Sequence, residues 1–113
     1  MISIDSTTNK ITMTRSDSLI VTVTPYTSDG EVYEPDEGDY IRFAMSKKYL
    51  GQSGYQLCVT KEIPTDTFIL ELEPEDTSAL AYGTYNYDIE LTHADGRVDT
   101  YISSTITLNK EVK

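Results

Sequence analysis

The sequence predicts an all-β sandwich of about seven strands, and three observations predict it. Apolar residues recur with period two along most of the chain, as strands with one buried face require. Turn residues separate these runs at the spacing of a sandwich rather than of strand–helix–strand units. No long stretch carries the 3.6-residue apolar period of an amphipathic helix. At 113 residues the chain has the size of one domain, 1–113.

The alternation defines each element in turn. Ile11 and Met13 alternate with Thr12 and Thr14. Leu19, Val21 and Val23 alternate with Ile20, Thr22 and Thr24, and Pro25 then limits further pairing. Ser28-Asp29-Gly30 is a turn, and the acidic stretch from Glu31 to Asp39, with Pro35 and Gly38, is an exposed loop. Ile41, Phe43 and Met45 share a face; so do Tyr55, Leu57 and Val59, after a loop tip at Gly51–Gly54. Phe68, Leu70 and Leu72 make the next apolar face, with Glu71 and Glu73 toward solvent. Pro74 with acids behind it is a helix-start signal, and predicts about two turns over 74–80, crossing between the sheets.

The clearest strand follows. Tyr85, Tyr87, Ile89 and Leu91 fall on one side of Thr84–Thr92, and Asn86, Asp88 and Glu90 on the other. Asp95-Gly96 is a hairpin signal, because glycine tolerates positive φ at no steric cost. The last strand runs from Val98 to Leu108, with Val98, Thr100, Ile102, Ser104, Ile106 and Leu108 on one face. That face is less apolar, which predicts an edge position or a bulge near Ser103-Ser104.

The net charge of −10 argues against nucleic-acid binding, which needs clustered Lys and Arg, and against adsorption to anionic membranes. The 9 Tyr suit half-buried strands, where the ring packs and the hydroxyl stays near water. One Cys, Cys58, excludes an intrachain disulfide. The opening residues carry no basic region followed by a long apolar run, so synthesis and folding in a cytoplasm are expected.

Little in the chain resembles a reaction centre. His93 is the only His, and reads as an exposed hairpin residue rather than a general base or metal ligand. Cys58 is expected on the face opposite Leu57 and Val59, as a structural thiol without a cationic neighbour. The acids of the Glu31–Asp39 loop suit a hard cation by type but lack the spacing of a calcium loop. No phosphate loop, dinucleotide fingerprint, nucleophile elbow or paired-Cys motif is present. The expectation is a protein that is not an enzyme, with no catalytic residues, no cofactor and no metal. The rival enzymatic reading is a Cys58–His93 pair.

Gly83-Thr84-Tyr85-Asn86-Tyr87 resembles the corner before strand F of immunoglobulin-like folds, where a Tyr bonds back to upstream backbone. The resemblance gives Tyr85 that tyrosine-corner role. The chain has no Trp and lacks the paired Cys of antibody domains. A wider resemblance runs through Lys10-Ile-Thr-Met-Thr-Arg-Ser-Asp-Ser18, Gly38-Asp-Tyr-Ile-Arg-Phe43 and Glu73-Pro-Glu-Asp-Thr77. It continues through Tyr82-Gly-Thr-Tyr-Asn-Tyr-Asp-Ile-Glu-Leu91, Ala94-Asp-Gly-Arg-Val98 and the closing Ile106-Thr-Leu to Glu111-Val112. In this order the chain resembles small proteins encoded in phages and prophages of Gram-positive bacteria. It is also similar to the N-terminal domain of phage baseplate upper proteins, which attach receptor-binding proteins to the tail. Ser16 stands where the Arg-Gly-Asp-Ser form of the first motif has Gly.

The resemblance implies an immunoglobulin-like antiparallel sandwich and a virion component of tail, baseplate or fibre, made in the bacterial host cytoplasm. Its partners would be other virion proteins and copies of itself, met through protein–protein contacts. Asn86 and Tyr101, taken as solvent-face residues of the last two strands, are the candidate contacts. The alternative is a carbohydrate- or cell-surface-binding sandwich module, since one fold hosts many sites.

Overall fold

The computed structural model describes residues 2–4, 7–27, 29–47, 54 and 56–110, the first three by backbone alone. In chain order the strands are β1 (Ile2–Ile4), β2 (Ile11–Thr14), β3 (Leu19–Thr22), β4 (Tyr40–Lys47), β5 (Gln56–Ile63) and β6 (Ile69–Leu72). The helical turn α1 (Pro74–Thr77) follows, then β7 (Gly83–Thr92) and β8 (Val98–Asn109). The short β1 is the one strand that alternation does not announce. One sheet has six strands in the order β1-β2-β8-β7-β4-β5, and the other has two, β3-β6.

The two sheets enclose one apolar core. The small sheet contributes Leu19, Leu70 and Leu72; the large sheet contributes Phe43, Tyr85, Ile89 and Ile106 among others, all essentially inaccessible. Phe43 and Tyr87 meet with ring centroids 5.5 Å apart. The architecture is a β-sandwich. Its pairings are antiparallel with one exception: β2 lies parallel to β8, with Ile11 opposite Ile106 and Met13 opposite Leu108. The expected antiparallel sandwich thus carries one parallel pair. Parallel neighbours need a long connection, and here the intervening elements of the sandwich supply it. This order and the parallel pairing are consistent with an immunoglobulin-like arrangement.

Two bulges redirect side chains that strict alternation would place elsewhere. Met45 faces Val59 but Ser46 faces Leu57, so Cys58 is the extra residue on β5. Leu57 is consequently 56% exposed instead of sharing a buried face with Val59, while Cys58 packs against the core. Tyr55 and residues 51–53 lie outside the described residues, as do Ser28 and Glu111–Val112. On β8, Ile102 faces Ile89 but Thr100 faces Glu90, so Tyr101 is the extra residue. The bulge sits earlier than Ser103-Ser104. It turns Tyr101 toward the core and leaves Val98 exposed. The second half of β8 is flanked by β2 and β7; the first half pairs with β7 alone among the described residues.

The helix is shorter than the expected 74–80. It ends at Thr77, where Ser78 N–H still donates to Pro74 O and Leu80 N–H donates to Thr77 O, turning the chain into β7. Asp76 starts the turn by accepting the Glu73 N–H at 2.7 Å, and also receives Lys61 Nζ at 2.9 Å. Thr77 is fully buried, and its Oγ1 accepts the Ser16 N–H at 2.8 Å. Arg15 donates to Leu80 O and Tyr82 Oη, both at 3.0 Å. The early Arg-Ser-Asp motif and the late Glu-Pro-Glu-Asp-Thr motif thus meet at one end of the sandwich.

Candidate functional site

Of the sequence-derived residues, Tyr85 lies closest to its expected geometry. Its ring is buried at the start of β7, and its hydroxyl donates to Ala81 O at 2.8 Å. This is the bond to upstream backbone that defines a tyrosine corner. It pins the α1–β7 connection to the large sheet. Tyr87 uses its hydroxyl at long range, donating to Asn9 O ahead of β2, and burial pushes its phenol up to about 12.

The two candidate contact residues separate. Asn86 is exposed on β7, opposite Thr105 and Ser46. Tyr101 is not a solvent-face residue: the bulge folds it onto the core, and burial raises its phenol, with Asp99 adding to the effect. Tyr101 is thus half-buried, with its ring packed against the core.

Cys58 and His93 do not form a pair. Cys58 lies beside Met45 and Ser46, whereas His93 follows Thr92, the partner of Tyr40. About five residues of β4 separate them, roughly 17 Å at the rise of a strand. The His93 ring is occupied elsewhere, and it is not an exposed hairpin residue. Its side chain is only 12% exposed, with Nε2 2.7 Å from Asp99 Oδ2 and Nδ1 3.3 Å from Tyr33 Oη.

An opening lies between the sheets beside β3. The small sheet has two strands and the large sheet six, so the two faces differ in width. A groove of about 330 Å³ results, floored by Ile11, Ile89, Ile102 and Leu70 and walled by Val21 and Val23. Tyr26, 58% exposed, stands at its rim. The groove runs along a strand whose outer edge is open. Among the described residues β3 pairs only with β6. Val23 N–H donates to Phe68 O, which places Val21 and Leu19 in the same hydrogen-bonded phase. The N–H and C=O groups of Ile20 and Thr22 therefore point away from β6, and Ile20 is 65% exposed. Sequence reading missed this site because the missing neighbour of a strand leaves no mark in the strand's own alternation.

The acidic residues form no ligand cluster; among the described residues no group of His, Cys, Asp and Glu is arranged to hold a metal. None of the described helices is long and apolar enough to cross a membrane. Compared with known protein families and with curated proteins, the chain matches no family model and no curated sequence.

Proposed function

We propose that this chain is a non-enzymatic structural or adaptor protein of a phage or prophage particle, in the tail, baseplate or fibre, working through protein–protein contacts. The order of motifs along nearly the whole chain supports the virion assignment. The single geometric observation that carries the contact role is the open β3 edge above an apolar groove. An exposed edge strand with free N–H and C=O groups is a template for one more strand. A monomer that leaves such an edge uncovered beside an apolar groove invites aggregation unless a partner covers it. The net charge of −10 works against a second copy as that partner and favours an extended segment of a neighbouring virion protein. That segment would carry apolar residues at alternate positions, to fill the groove, and basic residues at the end nearest the exposed Asp29 and Glu31.

Two substitutions test the edge without touching the core. Ile20→Lys places a charge on an exposed edge position, and Thr22→Pro removes an N–H that β6 does not use. Both variants should fold with near-normal melting temperature and fail to enter particles. Incorporation of both at the wild-type level would remove the β3 edge from the contact surface.

A further inference from the structure

His93 sits where the β7–β8 hairpin meets the acidic loop, and the hydrogen bonds around it fix its protons. Asp39 accepts from Tyr33 Oη at 2.7 Å, from the Asp36 N–H at 2.9 Å and from the Ala94 N–H at 3.2 Å. These donors, the Tyr33 hydroxyl first, hold the Asp39 carboxyl below the usual range, so it is an acceptor only. The same bond to Asp39, with burial second, pushes the Tyr33 phenol up to about 12, so the hydroxyl keeps its one proton. That proton is directed at Asp39. The Tyr33 oxygen can then meet His93 Nδ1 only as an acceptor, which requires a proton on Nδ1. On the other side of the ring, the Asp99 carboxylate 2.7 Å away requires a proton on Nε2. Both nitrogens must donate, so every bond is satisfied only by the imidazolium.

We propose that His93 is a proton-operated fastener between the Tyr33–Asp39 loop and the β7–β8 hairpin, closed when the ring is doubly protonated. When the ring loses a proton, one nitrogen faces an oxygen acceptor with nothing to donate. The Tyr33 hydroxyl can then satisfy Nδ1 only by leaving Asp39.

Acidic groups from three elements surround the ring. Asp99 of β8, Asp39 of the loop and Asp95 of the hairpin turn are acidic neighbours. Arg97, the cation of the hairpin turn, is spent on Asp95 at 3.0 Å. Tyr101 faces Asp99 and Asp39 from β8. The seam is close-packed as well. Gly38 has φ +92°, and a Cβ there would meet the Ala94 Cβ at 3.0 Å. The fastener also reaches the groove. Tyr33 N–H donates to Pro25 O at 2.9 Å, and the adjacent Tyr26–Val32 bridge carries the rim residue Tyr26. Protonation therefore biases the order of the loop beside the β3 edge. This inference does not depend on the virion reading.

The sign follows from the groups. The Asp39 bonds are present above the ordinary Asp range, about 3.9, and are lost as pH falls. The two His93 bonds each require a proton on their ring nitrogen, so both exist together only in the imidazolium. The chain has one His, so its ring signals are unambiguous. The experiment is an NMR titration of the full chain from about pH 5 to about pH 8, following the ring nitrogens and the backbone amides. At the acid end both nitrogens should carry protons. The Tyr33, Asp39 and Ala94 amides should move with the ring's midpoint, and Ala94 exchange protection should fall about tenfold, the worth of one charge-assisted hydrogen bond. In Tyr33→Phe, which keeps the ring packing, loop amides should cease to follow His93. A ring that carries one proton throughout, or loop amides that ignore its titration in the wild type, would overturn the proposal.

Discussion

Ser16 shows how one residue carries both the resemblance and its departure. It has φ +71°, in the left-handed region where glycine is at ease and a Cβ is strained. The Arg-Gly-Asp-Ser form that this segment resembles has Gly at this position, which suits the geometry: the Ser16 N–H must reach the buried Thr77 Oγ1 across a tight turn. Ser16→Gly should therefore stabilise the fold by about 0.5–1 kcal/mol, the strain relieved less the extra freedom of glycine in the unfolded chain. Chemical denaturation of the two chains measures it, and a loss of stability would contradict this reading of the turn. Tyr85→Phe probes the neighbouring pin. The ring stays packed, Ala81 O loses its donor, and the fold should lose about 1–2 kcal/mol with no change in denaturant slope. Tyr85 was legible in the sequence because Gly83-Thr-Tyr sets it at a strand start. The burial of His93 was not, because Tyr33, which meets its Nδ1, lies 60 positions away.

At the scale of elements, the alternating pattern located β2 to β8 because each has one buried face. It failed where a bulge inserts a residue, since a one-residue shift exchanges the two faces. Cys58 and Tyr101 are those residues, and both were assigned to the wrong side. Beyond the bulge the alternation is regular, and it puts Lys61 on the inward-facing side of β5, in line with Val59 and Ile63. From there its ammonium reaches Asp76 on α1 and is raised by that contact. Asp76 therefore serves two elements at once, starting the helical turn and anchoring β5 to it. Asp76→Ala should destabilise by about 1–2 kcal/mol, through the lost cap and the lost charge-assisted bond together. Thermal unfolding of Asp76→Ala beside Lys61→Met separates the two contributions. An effect in Asp76→Ala no larger than that in Lys61→Met would show that the cap contributes nothing.

For the whole molecule, the imbalance between a six-stranded and a two-stranded sheet matters most. The sandwich class was visible in period-two patterning and turn spacing. The sheet membership was not, because strand order is decided by long-range pairing such as β2 beside β8. The open β3 edge follows from that order, and the contact surface proposed for it lies on a different sheet from Asn86 of β7. On the proposed reading, the net charge of −10 keeps copies of the chain apart and leaves the edge to a complementary strand. The most direct test is quantitative mass spectrometry of purified particles from an induced host that encodes the chain. The account predicts that the chain co-purifies with tail proteins in a fixed ratio to them. Particles that lack the chain, while the same lysate contains it in abundance, would contradict the account.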